Sequence, residues 1–264
     1  MTNLEISNAL FTDQKKLIIK AKMLVPKIAK KFKKGKAFPA WDYEEYTHQE
    51  SRNRYLIMFY APTPERADTP EYHFITFMEE DRQQIVVHWG CWMYRKQGEL
   101  DCIATPYVGY YSGHFFSRYR ERIWKGVKLS RNELLCRYFS RNLITLPIEL
   151  NKDINRNYKE YGDFAEYAFQ VPDGMSFIRH WNEGDKATIG QKDSNFVSVV
   201  LYITFVNGGL MTNSQKKAIF KEGTKYIANQ YRKLIEDAMK ETLIRRLDAQ
   251  FQKIQEYAKR ISHS

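Results

Sequence analysis

With 264 residues, 43% of them apolar and 28% charged, the chain has the composition of an ordinary folded protein long enough to bury a core, which excludes a disordered or fibrous chain. Its three cysteines, Cys91, Cys102 and Cys136, lack the close pairing of a disulfide framework or metal knuckle and fit a reducing, cytoplasmic setting. The formal charge of +11 calls for an anionic partner or a solvated basic surface, and it is unevenly spread.

Residues 1–36 carry ten lysines against Glu5 and Asp13, and residues 213–264 carry twelve basic and six acidic side chains. Within the acidic remainder, residues 111–141 hold eight basic side chains against Glu121 and Glu133. Basicity is thus gathered in three segments.

The chain opens without a basic end leading into an apolar run, so no secretory signal is expected. A first helix is predicted from "TDQKKLIIKAKMLVPKIAKK", with Thr12 as its cap, Leu17, Ala21, Leu24 and Ile28 as its apolar stripe, and a kink or split at Pro26. From Arg54 the pattern changes to strands, "YLIMFYAP", "EYHFITFMEE", "QQIVVHWGCWMY" and "ELDCIATPYVGYY", whose short turns imply antiparallel pairing. His88 and Cys91, three apart on a strand, point to opposite faces, so no metal site is expected with Cys102.

A central pair of amphipathic helices follows. One is expected from Gly113 to about Trp124, and the next across "SRNELLCRYFSRN", where Ser130 and Glu133 form a capping box. Beyond the polar "LNKDINRNYKEYGDF", the strands "EYAFQV" and "MSFIRHW" flank the turn "PDG". "ATIG" and "FVSVVLYITFV" complete the strands, the latter too short and too β-branched for a membrane helix. Alternation places Val197, Val199, Leu201, Ile203 and Phe205 on one buried face, with Ser198, Tyr202 and Thr204 opposite. The end of the chain reads as helical, with a stop near Gly223.

The expected fold is α+β, mainly antiparallel sheet or sheets with helices at both termini and the central helix pair between. A single compact domain over 1–264 is favoured, against a division into 1–144 and 165–264, because no linker composition separates the strand groups.

The chemistry is densest in "GHFFSRYRERIWK". At about 100° per residue His114, Arg118, Glu121 and Lys125 share a stripe with Arg122 beside it, while Phe115, Phe116, Tyr119 and Ile123 form the other side. An imidazole to move a proton and two guanidinium groups to hold a phosphate are what metal-independent phosphodiester cleavage requires. Arg179, His180, Tyr202 and Thr204 are the candidate binding residues across a groove. The same helix pattern equally describes a solvated polar face, with Glu121 pairing to Arg118 or Lys125.

The expected function is therefore nucleic-acid binding, of RNA or another polyanion, extending to ribonuclease action with His114, Arg118 and Arg122 as catalytic residues. No metal, cofactor or membrane partner is expected. The alternative is a non-catalytic protein that binds a protein partner or assembles with itself through exposed aromatics and basic helices.

Overall fold

The computed structural model describes residues 1–35, 37–80, 83–95, 102–142, 145–150, 167–189 and 194–225, with isolated helical positions beyond. Helix α1 spans Asn3–Lys34. It starts well before Thr12, because Thr2 and Glu5 form a capping box in which Thr2 Oγ1 accepts from the Glu5 N–H at 3.2 Å and Glu5 Oε2 accepts from the Thr2 N–H at 2.7 Å. Pro26 lies inside the helix without dividing it. Lys22 and Pro26 are both exposed, so the Lys22 carbonyl deprived of its partner faces water.

Among the described residues, nine strands form one mixed sheet. They are β1 (Ala40–Thr47), β2 (Arg54–Ala61), β3 (Glu71–Glu80), β4 (Gln83–Arg95), β5 (Cys102–Tyr111), β6 (Leu146–Glu149), β7 (Tyr167–Val171), β8 (Gly174–Glu183) and β9 (Val197–Asn207). Between β5 and β6 lie α2 (Gly113–Ile123) and α3 (Arg131–Arg141), and a further helix, α4, occupies 213–225. The order across the sheet is β1-β2-β3-β4-β5-β9-β8-β7-β6.

Two antiparallel meanders thus meet at a parallel β5–β9 pair. After β5 the chain crosses over through α2 and α3 to the far edge and works back inward, the kind of long crossover that parallel neighbours require. The strand groups on either side of the helices therefore belong to one sheet, and the architecture is mixed α+β and mainly antiparallel.

Successive residues on the central strands go to opposite faces, and each face has its own helical cover. Val87, Val108, Val197 and Val199 pack with Leu10, Leu17, Ala21 and Ile28 of α1. Val86, Tyr111, Val200 and Tyr202 pack with Phe115 and Tyr119 of α2 and Leu135 and Tyr138 of α3. At the far end, Ala168, Met175 and Phe177 pack with Ile219 of α4.

Several sequence expectations need correction. β1 precedes the first expected strand and forms a sheet edge; its "WDYEEY" core is charged and aromatic, without a continuous apolar run. Of "ATIG", Ala187 and Thr188 lie in a single 3-10 turn, Lys186–Thr188, which Asp185 caps by accepting from the Ala187 N–H, and not in a strand; Gly190 lies outside the described residues. Gly223 does not stop α4. It is buried, and a Cβ there would lie 2.8 Å from Leu146 Cδ2, so the glycine lets α4 approach β6. The polar stretch 151–164 lies outside the described residues.

The alternation assumed for β9 also fails at one point. Phe177 pairs with Thr204 but Ile178 pairs with Tyr202, leaving Ile203 as an extra, bulged residue. The bulge reverses the faces beyond it. Phe205 joins Tyr202 in the core under α2 and α3, and Thr204, opposite Phe177, turns toward α4. Ile203 is only half-buried.

Candidate functional site

Helix α2 is set by Ser112, whose Oγ accepts from the Phe115 N–H at 3.1 Å. Phe115, Phe116 and Tyr119 are buried against Tyr111 and Phe205, which fixes the rotation of the helix and so decides where each polar stripe points. His114 projects outward on the exposed side. Beside it Arg118 donates from Nη1 to Glu121 Oε2 at 2.9 Å. Arg122 turns inward, donating to the carbonyl of Phe205 on β9, while its own carbonyl accepts from Asn207 Nδ2 at 3.2 Å. These two contacts rivet the end of α2 to the sheet.

The strand candidates are dispersed. Arg179 is exposed on β8, and His180 Nε2 lies 2.7 Å from Ser198 Oγ on β9. Tyr202 is buried, its ring stacked on Tyr111 with centroids 3.9 Å apart. Thr204 is buried on the opposite face of the sheet for the reason given above. Among the described residues, no hydrogen bond or ion pair joins His114 to any of the four.

Of the eight basic side chains between residues 111 and 141, two more have structural roles. Arg137 lies 4.3 Å from the ring of Trp124 and 5.5 Å from that of Trp41, and Arg141 forms a forked bond to Asp173. The other four, Arg120, Lys125, Lys128 and Arg131, lie on α2, the connector and the start of α3, and Arg131 too is engaged, over the Phe77 ring.

Arg120 and Arg131 line a cavity of about 230 Å³ between the two helices. Its floor is Val86, Tyr111, Phe116, Leu134 and Leu135, all buried, and its rim is Gly113, Ser117, Arg120 and Arg131, all exposed. Among the described residues, no acidic side chain lines it. Arg120 Nη2 lies 3.4 Å from the carbonyl of Leu129, at the end of the connector that carries Lys125 and Lys128. Arg131 lies over the Phe77 ring at 4.2 Å. Burial lowers its pKa, the neighbouring Arg54 lowers it further, and Glu45 opposes both. The cleft thus combines an apolar floor with a concentration of positive charge.

The cleft uses the stripe Gly113, Phe116, Ser117 and Arg120 of α2, not the stripe of His114 and Arg118. Sequence reasoning missed Ser117, Arg120 and Arg131. Their signal was a second polar stripe flanking the aromatic one, but which stripe meets α3 depends on helix packing.

Three histidines elsewhere are structural in character. Burial pushes His88 down to about 4, with His73 adding to the effect, and His88 Nδ1 lies 3.0 Å from Tyr107 Oη. Burial also lowers His73 and His180, with Lys186 adding to the latter. All three are neutral near pH 7. Asp13, His48 and Ser51 resemble a nucleophile set, but Ser51 Oγ donates to Asp13 Oδ2 at 2.5 Å and His48 is buried, so the group pins the β1–β2 turn to α1. A second cavity, about 240 Å³ between α1 and the sheet, is lined by Leu10, Leu17, Tyr55 and Trp89 among others, with no lysine or arginine among the described residues that line it.

No group of three His, Cys, Asp or Glu among the described residues could hold a metal ion, and the side chains of Cys91 and Cys102 lie outside those residues. No described helix is long and apolar enough to cross a membrane. Comparison of the chain with protein-family models, curated proteins and solved structures finds no match.

Proposed function

We propose that the protein binds nucleic acid, RNA or another polyanion, through the cleft between α2 and α3. The observation that carries this reading is the rim of Arg120 and Arg131 over an apolar floor, with no acidic side chain among the described residues that line the cavity. Lys125 and Lys128 on the adjoining connector extend the positive surface beyond the cavity. Cleavage at His114 has weaker support, since Arg118 is held by Glu121 and Arg122 by the β9 backbone.

Binding of a labelled single-stranded RNA across a salt series tests the reading. Affinity should fall steeply as salt rises, and Arg120→Ala with Arg131→Ala should weaken binding by at least tenfold, as expected when contacts of about 1.5–3 kcal/mol each are lost. Absence of binding at low salt removes the reading.

A second reading, an interaction protein, is favoured by the outer surface of α1. Phe11, Ile19 and Met23 are 62%, 52% and 73% exposed there, among the exposed Lys15, Lys22 and Lys30. Self-association that strengthens or persists at high salt and is lost on Ile19→Ser with Met23→Ser would support it instead.

A further inference from the structure

We propose that the α2–α3 cleft takes one unstacked nucleotide of a single strand, its base on the floor formed by Val86, Phe116, Leu134 and Leu135 and its phosphate between Arg120 and Arg131. This rests on the nucleic-acid reading above and adds to it the form of nucleic acid and the part of the nucleotide recognised.

Size gives the first argument. A cavity of about 230 Å³ is smaller than the roughly 300–1,000 Å³ of sites for drug-sized ligands, so it holds one ring system with its immediate substituents. A paired and stacked base cannot present its faces to such a cavity, whereas an unpaired base can leave the stack and enter.

The lining gives the second. A purely electrostatic phosphate track needs no buried apolar surface, yet here Phe116, Leu134 and Leu135 are buried side chains that still border the cavity. Base faces are the apolar part of a nucleic acid, and an aromatic and aliphatic floor receives them with little regard to sequence. The charged groups stand at the rim, where a phosphate one sugar away from the base remains partly hydrated.

Backbone access gives the third. A Cβ added to Gly113 would meet nothing within 4 Å, so there is open space beside the first turn of α2. Amide groups of a first helical turn lack intrahelical partners, and Ser112 satisfies that of Phe115. Gly113 itself lines the cleft, so this open space belongs to the cavity and leaves its first-turn end accessible to the strand.

The same chemistry is offered by a free nucleoside monophosphate and by a nucleotide within a strand. The extra cations Lys125 and Lys128 favour the strand, because a lone nucleotide has no further phosphates to reach them.

The test uses the full chain, a single-stranded 20-nucleotide RNA, a duplex of equal length, adenosine 5′-monophosphate and ribose 5-phosphate, with wild type and Ser117→Trp. Ser117 is exposed on the rim, so tryptophan fills the cleft without entering the core or removing an arginine. Wild type should prefer the single strand to the duplex, and the mononucleotide to the sugar phosphate, by about tenfold, the order of one base stacked on a side chain. Ser117→Trp should abolish both preferences and retain salt-sensitive duplex binding and the native near-ultraviolet circular dichroism.

Equal affinity for both forms of RNA, or preferences unchanged in Ser117→Trp, overturns base insertion and leaves polyanion binding standing. Base-dependent binding of the mononucleotide with no affinity for strands overturns the strand assignment. Failure to bind any of the four probes overturns both this proposal and the reading beneath it.

Discussion

Tyr119 Oη donates to Asp173 Oδ2 at 2.7 Å, tying the middle of α2 to the β7–β8 turn. The same carboxylate accepts the fork of Arg141 and a bond from Asn142 Nδ2 at 3.1 Å, so both helices beside the cleft are fastened to one turn residue. Burial pushes the Asp173 carboxyl up, but the bonds from Arg141, Tyr119 and Asn142 outweigh it and hold its pKa below the ordinary value. Asp173→Ala leaves the Tyr119 hydroxyl and Asn142 without this acceptor. It should cost about 2–4 kcal/mol in denaturant unfolding, and a loss below about 1 kcal/mol would show that the fastening carries little stability.

The turn was readable in "PDG", but the fastening was not. The sequence specifies that Gly174 and Asp173 suit a turn; it does not specify that α2 and α3 converge on it. Similarly, the apolar stripe of α1 was evident from Leu17, Ala21 and Ile28, while its true start depended on the Thr2–Glu5 box lying outside that stripe. The candidate site was legible to the level of the helix. His114, Arg118 and Arg122 stood out as residue types, whereas the cavity exists only where the neighbouring stripe of α2 faces Arg131 of α3.

The bulge at Ile203 makes the limit of strand periodicity measurable. Uniform alternation would make Ile203 a core residue and place Phe205 beside it, yet the observed register leaves Ile203 half-buried and Phe205 fully buried under α2. Phe205→Ala should cost about 3–5 kcal/mol and Ile203→Ala distinctly less, at about 1–2 kcal/mol. Equal losses in thermal or denaturant unfolding would contradict the bulged register.

Acid should destabilise the protein in two stages. His88 has its folded pKa depressed to about 4 by burial, from an ordinary 6.5, so the unfolded chain takes up a proton in this range and the folded chain does not. Stability is therefore full above about pH 6.5 and declines as pH falls toward 4. Asp13 and Asp173 also have depressed folded values, against an ordinary 3.8, so their contribution is present above that pH and is lost as pH falls below it. In His88→Gln the upper stage should become shallower, the remainder coming from His73 and His180, which burial also lowers, while the lower stage stays as it is. An unchanged slope between pH 6.5 and 4 would assign that stage to other groups.

Two glycines should respond oppositely to alanine. Gly174 has φ 154°, and a Cβ there would lie 2.1 Å from the carbonyl oxygen of Val206, so alanine must displace backbone at the β8–β9 contact. Gly174→Ala should cost about 1–3 kcal/mol. Gly113 lies in the first turn of α2 with open space at its Cβ position, where alanine should be neutral or stabilise by up to about 1 kcal/mol through helix propensity. Melting temperatures moving in the same direction for both would refute this distinction.

The sharpest contrast lies between two arginines two residues apart on α2. Arg118 donates to Glu121 at 2.9 Å, and that ion pair is a surface pair between i and i+3, with the arginine about one-third exposed. Removing it should change stability by less than about 0.5 kcal/mol, as is usual for such pairs. Arg120 points to the cleft instead, and its nearest described acceptor, the Leu129 carbonyl, is 3.4 Å away, long for a strong bond. Its cation is consequently available to a phosphate at little conformational cost. Arg120→Ala should weaken RNA binding by roughly tenfold or more with melting temperature nearly unchanged, while Arg118→Ala should alter binding by about threefold or less. If Arg118→Ala or His114→Ala is instead the more damaging, the anion is held on the outer stripe of α2, and the cleft is a packing defect between two helices.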